Sequence, residues 1–411
     1  MTGRSPNGRG GEPSGSRDPR DGGEPRRASG IVAPILSLLG LVVAAALTIA
    51  LYTGSVPLLS SGTGDNPDKT PSASAPPEPV KEAAFPGSIV YAKSGNLWVQ
   101  SGDTVRQLTS TGLDSMPSWA PDGTWVYYIE TRAKAANALV NGVVTFYNFT
   151  YPVLCRVRPD GTEQADLLSG LYTYGSKKQY SYFYWIRQPV VSPNGTTIAF
   201  VSDGTDPATR NVTLQLWDVT TKKLTVLGLP ENAPLGHQDP AWSPDGSSIL
   251  YVKNGKDGTR GAPVIYRDTP ASKANKALTT SGYLAPSWSP DGKWIAATKT
   301  TPTGTDLAII DVSTGAAVMR VTNDGKSWGA SWSPRGDSIV FLHMTGQVVD
   351  LRQIKLSGSG PTWTLSEAQN LTVNSGLDGG SRPTWFVPVN EISTASPSAA
   401  TSASSSGSTA P

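Results

Sequence analysis

The sequence predicts an all-β protein folded as a six-bladed β-propeller, on three observations. A short phrase, Pro-x-Trp-Ser-Pro-Asp-Gly, occurs six times in complete or partial form. Its tryptophan slot returns every 44 to 72 residues, and a period of about 40–50 residues with several strands per unit marks a propeller blade. The 43 Gly and 34 Pro in 411 residues favour many short strands joined by tight turns.

The phrase itself is a turn that ends one strand and starts the next. Proline sets φ, aspartate accepts hydrogen bonds from turn amides, and glycine supplies a positive φ. Asn194 keeps the acceptor in the second copy, whereas Arg335 does not in the fifth. We therefore expect the Arg335 turn to be the weakest of the complete copies. The residues in the tryptophan slot, which we expect to fill contacts between neighbouring blades, are Trp119, Val191, Trp242, Trp288, Trp332 and Trp385.

Each copy is followed by a strand in which β-branched and aromatic residues alternate. The five strands that follow the turns are 125–129, 198–201, 249–252, 294–297 and 339–342. A further strand comes next, and the unit closes on Leu-Thr or a similar pair, as at Leu278-Thr279. Such alternation over four to six positions indicates half-buried antiparallel strands.

The sixth copy stops at Trp385, and its missing strands are found at the other end of the propeller. Residues 88–92, 96–100 and 105–109 match the later part of a unit. The C-terminal strand is therefore predicted to complete the first blade. This closes a ring over 86–390 and leaves no exposed sheet edge between the first and last blades.

The segments outside the propeller differ sharply in composition. Residues 1–29 are rich in Gly, Pro, Arg and Ser and are predicted to be disordered. Residues 30–52 are predicted to form a transmembrane helix, because the 22 residues 31–52 carry no charge and would span about 33 Å as a helix. Residues 53–85 form a Pro/Ser-rich linker, and 391–411 form a disordered Ser/Thr-rich tail.

Charge around the apolar span predicts its orientation. Arg20, Arg26 and Arg27 precede it, and the first positive charge after it is Lys69. The positive-inside rule then gives a single-pass cell-membrane protein with a cytoplasmic N-terminus and an extracytoplasmic propeller. A cleaved secretion signal is the alternative, although the apolar run exceeds the usual 7–15 residues of such signals.

Charge and cysteine content exclude several classes of protein. Beyond residue 29 the chain has 28 basic and 28 acidic residues, which gives no basic surface for nucleic acid. The one cysteine, Cys155, excludes an internal disulfide. It is either a small buried hydrophobe or a reactive thiol.

The sequence contains no convincing catalytic or metal-binding set. Ser327 lies in a Gly-x-Ser-x-Gly match at 325–329, but His343 is the only later histidine and no α/β-hydrolase domain follows. His237 and Asp239 are too few for a transition-metal site. Aspartates of the Asp-Gly turns either bind Ca²⁺ or only stabilise the turns. We predict no catalytic residues, no metal and no cofactor.

The one departure from the repeat is the 72-residue step between slots 119 and 191. It contains an alanine-rich part, 133–138, and a group of aromatic residues. Insertions in repeat proteins often form the binding face, and aromatic side chains with polar tips are enriched there. The alternative is a long hairpin packed on its own blade. The candidate partner-surface residues are Tyr172, Tyr174, Tyr180, Tyr182, Phe183, Tyr184 and Trp185.

The repeats resemble those of the TolB-type, WD-repeat-like propellers, which read Trp-Ser-Pro-Asp-Gly, then a strand, then Leu-Thr. The resemblance covers about 86–390 and implies the propeller fold. TolB proteins are soluble periplasmic components of the Tol–Pal envelope system and carry an α/β domain ahead of the propeller. This chain has the linker at that place, so the resemblance applies to the propeller part.

Three functions stay open on these grounds. The first is a membrane-anchored, non-catalytic scaffold that binds envelope proteins. The second is a sensor that binds a cell-wall glycan or a peptide through aromatic loops and the central channel. The third, a hydrolase-associated propeller, is remote.

Overall fold

A computed structural model describes residues 85–204, 212–229, 236–254 and 263–392. The predicted N-terminal segment (1–29) and membrane span (30–52) lie outside the described residues. So do the linker (53–85) except Phe85, and the tail (391–411) except its first two residues. Within the described ranges, no helix has the length and apolar character that a membrane crossing requires.

The described chain is almost entirely β-structure, with a single-turn 3-10 helix at Pro270–Ser272 and one short α-helix, α1 (Val389–Ile392), near its end. The strands are β1 Ser88–Lys93, β2 Asn96–Ser101, β3 Thr104–Gln107, β4 Asp114–Trp119, β5 Val126–Val140, β6 Val143–Val157, β7 Ala165–Ser169, β8 Leu171–Tyr174, β9 Tyr180–Phe183, β10 Arg187–Val191, β11 Thr197–Ser202, β12 Thr213–Asp218, β13 Leu224–Val226, β14 His237–Trp242, β15 Ile249–Lys253, β16 Val264–Thr269, β17 Ala274–Ala277, β18 Tyr283–Trp288, β19 Trp294–Thr301, β20 Gly304–Asp311, β21 Ala317–Arg320, β22 Ser327–Trp332, β23 Ser338–Thr345, β24 Val348–Ser357, β25 Thr364–Leu365, β26 Gln369–Asn370 and β27 Thr384–Phe386.

These strands form six antiparallel blades, as the repeats predict. Blade 1 is β27-β1-β2-β3, and blades 2 to 5 are β4–β7, β10–β13, β14–β17 and β18–β21. Blade 6 is β22-β23-β24, with β25 and β26 both pairing β24, and β8-β9 is a separate hairpin. The innermost strands β4, β10, β14, β18, β22 and β27 each lie against the next, and β27 lies against β4. The ring is therefore closed.

The predicted closure of the ring by the C-terminal strand is confirmed. β27 pairs with β1 so that Trp385 faces Ile89. The indole N–H of Trp385 donates to the Pro86 carbonyl at 2.9 Å, and its ring meets Phe85 edge-on, with centroids 5.8 Å apart. The two ends of the propeller are thus held by a ladder, a hydrogen bond and an aromatic contact.

The repeated turn has the hydrogen bonds that its residue types predict. In the fourth copy, the Ser289 hydroxyl donates to the Asp291 carboxylate at 2.6 Å and accepts the Trp294 N–H at 3.0 Å. The copies at 192–197 and 243–248 repeat both bonds. In the fifth copy, the Arg335 N–H donates to the Ser333 hydroxyl instead, at 3.1 Å. The side-chain acceptor is therefore missing there.

The Leu-Thr pairs also have a defined role. In four blades the threonine hydroxyl accepts a backbone N–H from the third strand, which fastens the end of the outermost strand to its neighbour. The pairs are Thr109 with Leu97 (2.9 Å), Thr279 with Ile265 (3.1 Å), Thr322 with Leu307 (2.9 Å) and Thr372 with Leu351 (2.9 Å).

The hydrophobic core lies between adjacent blades. Trp119 of blade 2 packs on Phe386 of blade 1, with ring centroids 5.3 Å apart, and shares a buried cluster with Val90 and Leu97 of blade 1. We call the end of the propeller with the Pro-Asp-Gly turns the turn face. The opposite end, which holds the turns between second and third strands and the connections between blades, is the loop face.

Candidate interaction surface

Blade 2 carries two β-hairpins on the loop face that have no counterpart in the described parts of the other blades. β5 and β6 each have 15 residues, but β7 pairs with β6 only from Val153 onward. The remainder, residues 132–151, continues as a two-stranded extension that we call the ribbon. Asn141 and Gly142, both with positive φ (51° and 79°), form its tip, as expected for a two-residue hairpin turn. The second hairpin, β8–β9, is the aromatic hairpin (171–183).

The predicted aromatic residues do cluster on and beside the aromatic hairpin. Tyr172 stacks on Tyr182 with ring centroids 5.8 Å apart and also meets Tyr184 at 6.1 Å. Tyr184 is buried in the core between blades 2 and 3, and this burial raises its pKa to about 12. Tyr174, by contrast, is 62% exposed. Tyr184 therefore packs the propeller, whereas Tyr174 is available to a partner.

Two of the other predicted residues support the ribbon. The Tyr182 hydroxyl accepts the Leu139 N–H at 3.1 Å and donates to the Leu139 carbonyl at 2.8 Å. Phe183 meets Phe149 of the ribbon, with ring centroids 6.3 Å apart. The aromatic hairpin thus packs against the ribbon, and Tyr180 lies half-buried beside the hairpin turn, where it pairs with Tyr174.

Trp185 links the aromatic hairpin to blade 3. Its backbone N–H donates to the Asp203 carboxylate at 2.7 Å, and the Arg187 guanidinium lies 5.7 Å from its ring centroid. Burial raises the pKa of Asp203. The seven candidates therefore divide into packing residues and a smaller exposed set, and the partner surface itself stays a prediction.

Sequence reasoning missed the exposed apolar residues of the ribbon. Phe146 is 69% exposed and Val143 63%, and Val144 and Tyr147 are also exposed. Two signals could have found them. An Asn-Gly pair flanked by alternating hydrophobic residues is a strong hairpin signal, and no charged residue lies between positions 134 and 156.

A second feature lies where the six innermost strands meet. The residue three positions before each tryptophan slot belongs to this axial ring, which consists of Met116, Gln188, Asp239, Ala285, Gly329 and Arg382. In the first five the backbone φ is positive, between 47° and 64°. The same strands carry a β-bulge at these positions. Bulges redirect side chains, which explains how neighbouring ring residues reach one another.

Side chains of the axial ring bind the backbone of the next blade. The Gln188 carboxamide oxygen accepts the Asp239 N–H at 2.9 Å, and the Asp239 carboxylate accepts the Ala285 N–H at 3.0 Å. The Gln188 N–H donates to the Met116 sulfur at 3.2 Å. The Gln188 carboxamide nitrogen also donates to the Asp239 carboxylate at 2.5 Å. Hydrogen bonds therefore join four of the ring residues, Met116, Gln188, Asp239 and Ala285.

The axial ring also concentrates charge. Arg382 donates to the Pro286 carbonyl at 2.7 Å and passes close to Gly329, which has no side chain in the way. Burial raises the pKa of Asp239, while the charge of Arg382 opposes that rise. Burial lowers the pKa of Arg382, and the charge of Asp239 opposes that fall. Arg187, which is exposed to solvent, also interacts electrostatically with Asp239.

The Gly-x-Ser-x-Gly match does not form a nucleophile elbow. Ser327 is the first residue of β22, not a turn between a strand and a helix, and it is buried. Its hydroxyl contacts His343 Nδ1 at 3.1 Å, and Asp324 approaches the same Nδ1 at 3.5 Å. A catalytic triad uses opposite ring nitrogens for the serine and the carboxylate, so this arrangement is not one.

Cys155 is buried, as expected for a small hydrophobe, and lies beside two carboxylates. Arg132 binds Glu130 at 2.6 Å and Asp166 at 2.6 Å. Burial raises the pKa of the Cys155 thiol. Arg132 is already paired with both carboxylates and burial keeps the thiol protonated, which disfavours both metal binding and thiol reactivity.

Comparison with known proteins agrees with this fold. The profile of the TolB beta propeller domain (PD40) matches residues 169–373. The uncharacterized protein Atu1656 of Agrobacterium fabrum is 26% identical over 159 residues, 38% of this chain and 45% of that protein. The uncharacterized peptidase YuxL of Bacillus subtilis is 26% identical over 149 residues, 36% of this chain and 18% of that protein. The chain thus matches less than half of either relative.

Among solved structures, TolB from Acinetobacter baumannii superimposes with a TM-score of 0.53 at 18% identity. The superposition covers 74% of this chain and 68% of that one. Identity this low shows the fold alone. The profile match and the six blades together establish the kind of propeller. The chain therefore contains a TolB-like six-bladed β-propeller, as its Trp-Ser-Pro-Asp-Gly repeats predict.

Proposed function

We propose that this chain is a non-catalytic interaction scaffold, a TolB-like propeller that binds a protein partner through its loop face. The observation that carries the proposal is the pair of hairpins of blade 2. They expose Tyr174 and Phe146 at 62% and 69% on strands that are held rigidly to the propeller. Exposed apolar patches of this kind mark interaction sites.

The aromatic hairpin favours a protein partner because its side chains are both apolar and pre-organised. Tyrosine buries a large area on contact and loses few rotamers in doing so. The stacking of Tyr172 on Tyr182 and the Tyr182 bonds to Leu139 restrain the hairpin before any partner arrives. Pre-organisation of this kind lowers the entropy lost on binding.

The proposed location is the extracytoplasmic side of the cell membrane. The support is the uncharged run 31–52 and the arginines that precede it. Protease added to intact, wall-stripped cells should digest the propeller while leaving a membrane-bound N-terminal fragment. Protection of the propeller from external protease would contradict the orientation, and a propeller found free of the membrane would favour a cleaved signal.

Photocrosslinking in intact cells tests the partner surface. A photoreactive phenylalanine analogue replaces Tyr174 in the full chain, and a matched variant carries it in place of Lys293 on the turn face. We expect position 174 to capture one or two reproducible envelope proteins and position 293 to capture none of them. Equal capture at both positions, or none at position 174, would contradict the loop-face assignment.

The axial ring supports a second candidate, a sensor for an acidic glycan or peptide. The supporting observation is that two arginines, Arg187 and Arg382, interact electrostatically with Asp239, so this group of three side chains holds more positive than negative charge. Arg187 lies at the start of β10, which is the loop-face end of that strand. Carboxylates are suited to such a site. Arg187→Gln should then abolish binding of carboxylate-bearing cell-wall fragments, whereas Lys293→Gln should not.

A further inference from the structure

The outer edge of the ribbon is an unpaired strand. Within the described ranges, β6 pairs with β7 only from Val153 onward, and no strand pairs with the outer side of residues 143–151. In the strand order β4-β5-β6-β7, β4 is innermost, so this edge faces the periphery of the propeller. It spans about 20 Å between Val144 and Thr150 at 3.4 Å per residue.

The pairing register shows which backbone groups point outward. Leu139 faces Val144 across the ribbon, and both Leu139 backbone groups bond to the Tyr182 hydroxyl instead. This pair is therefore not hydrogen-bonded, and the two pair types alternate along antiparallel strands. Pro152 fits the same alternation, since its carbonyl points outward and accepts the Gly170 N–H. The residues of β6 whose backbone N–H and C=O groups point outward are thus Val144, Phe146, Asn148 and Thr150.

The edge lacks the features that normally prevent pairing with another strand. Proteins protect exposed edges with charged residues, proline, bulges or very short strands. Residues 143–151 contain no charge and no proline, and the β5–β6 ladder runs from Val126 to Val140 without a register shift. On β5, by contrast, Lys134 is charged and Tyr182 covers the edge at Leu139. Only the β6 edge is left open over its full length.

We propose that this edge pairs antiparallel with the same edge of a second copy of the chain, related by a two-fold axis at Tyr147. In this register Val144 faces Thr150 of the second copy, and Phe146 faces its Asn148. The outward backbone groups of all four residues then face outward backbone groups of the second copy. The pairing forms about eight backbone hydrogen bonds, two for each of the four facing pairs. Each partner uses the same patch, as a two-fold interface requires.

A second copy of the chain fits this edge because the edge is complementary to itself in charge, length and side-chain type. An uncharged strand meets no like charge in its copy. The open stretch begins at Val143, directly after the tip, and ends where Gly170 bonds to Pro152. The tip of one ribbon therefore stops just before the blade of the other. Apart from Phe146 with Asn148, the facing pairs consist of aromatic and β-branched residues, and such cross-strand pairs stabilise sheets.

Engineered disulfides in the full chain, oxidised in native membranes, test both the pairing and its register. Tyr147 would face Tyr147 of the second copy in a non-hydrogen-bonded pair, with Cα atoms about 4.5 Å apart, within the range that a disulfide bridges. Tyr147→Cys should therefore give a covalent dimer on a non-reducing gel. The unsubstituted chain should give none, because its only cysteine, Cys155, is buried.

Neighbouring positions provide the register control. Thr145 would face Phe149 of the second copy, and the two copies of either residue would lie four residues apart along the strand, about 13 Å. Thr145→Cys and Phe149→Cys should each fail to crosslink alone, whereas the double variant should succeed. Equal crosslinking by all single variants, or none by Tyr147→Cys and by the double variant, overturns the proposal.

Proline substitution tests the interface without cysteine chemistry. Asn148→Pro removes an outward N–H, and proline is tolerated on an edge when its nitrogen faces outward. Ala135→Pro makes the same change on the opposite edge of the ribbon, because Ala135 pairs with Asn148. Light scattering of the detergent-solubilised chain should give two copies for the unsubstituted protein and for Ala135→Pro, and one for Asn148→Pro. A single copy in the unsubstituted protein overturns the proposal, and so does a Tyr147→Cys variant that forms its disulfide with a different protein.

Discussion

The threonine that closes blade 6 makes a measurable contribution to stability. Thr372 is 5% exposed. Its hydroxyl accepts the Leu351 N–H at 2.9 Å and donates to the Asp350 carboxylate at 2.8 Å. Thr372→Val keeps the shape of the side chain and removes both bonds. We therefore expect the propeller to fold and its free energy of unfolding to fall.

The expected loss follows from three terms. The Leu351 N–H becomes a buried donor without an acceptor, at about 1–3 kcal/mol, and the bond to the carboxylate is worth about 1.5–3 kcal/mol. The added methyl group returns roughly 0.8 kcal/mol. The free energy of unfolding should therefore fall by about 2–5 kcal/mol. For a domain of this size the melting temperature should fall by about 2–4 °C for each kcal/mol lost.

Two variants control for the change of shape. Thr372→Ser keeps the hydroxyl and should recover most of the stability. Thr279→Val removes the same backbone bond, 3.1 Å long to Ile265, but no carboxylate bond, and should lose only about 1–2 kcal/mol. Thermal and denaturant unfolding of the full chain in detergent, followed by tryptophan fluorescence, measures all three. A Thr372→Val variant within about 0.5 kcal/mol of the unsubstituted chain, or no more affected than Thr279→Val, would refute the assigned role.

Three further predictions use the same unfolding assay. Tyr184→Ala should lower the free energy of unfolding by about 3–5 kcal/mol because the side chain is buried between two blades. Tyr174→Ala should change it by less than about 0.5 kcal/mol. Equal losses would be inconsistent with the division into buried and exposed aromatic residues. Asp291→Ala should cost about 1 kcal/mol through its lost turn bonds, and Arg335→Ala should cost less because Arg335 provides no acceptor; the reverse order would count against the turn analysis. Burial raises the pKa of Asp203, so the folded state holds its proton more tightly and loses stability as pH rises from about 4 through the raised pKa. Asp203→Asn should therefore gain stability relative to the unsubstituted chain over that rise, and a constant difference from pH 4 to pH 8 would argue against it.

The sequence was sufficient to predict the repeat, the blade number and the closure of the ring. The phrase around Trp288 encodes its turn through local bonds, since Ser289, Asp291 and Trp294 lie within six residues of one another. Local hydrogen bonds of this kind depend on residue type and spacing. The pairing of Trp385 with Ile89 could also be inferred, because an incomplete last unit and an incomplete first unit complement each other.

The candidate surface was only partly predictable. The group of tyrosines indicated a hairpin, but period-two alternation cannot tell which face is buried when a neighbouring element covers it. Tyr184 is buried because blade 3 packs on it, and Tyr182 is engaged because the ribbon passes beside it. The axial ring could not be predicted at all, because Gln188, Asp239 and Arg382 come from different blades and meet only when the ring closes.

The sequence by itself determined the six-bladed propeller, its closing strand and the division into turns and strands, because these depend on contacts close in the chain or on a repeat that can be counted. Only the tertiary structure decided which aromatic residues are exposed, that the β6 edge stands open, and that Arg187, Asp239 and Arg382 from three different blades interact near the axis. Each of these depends on segments that are distant in sequence and are brought together when the blades pack around a common axis.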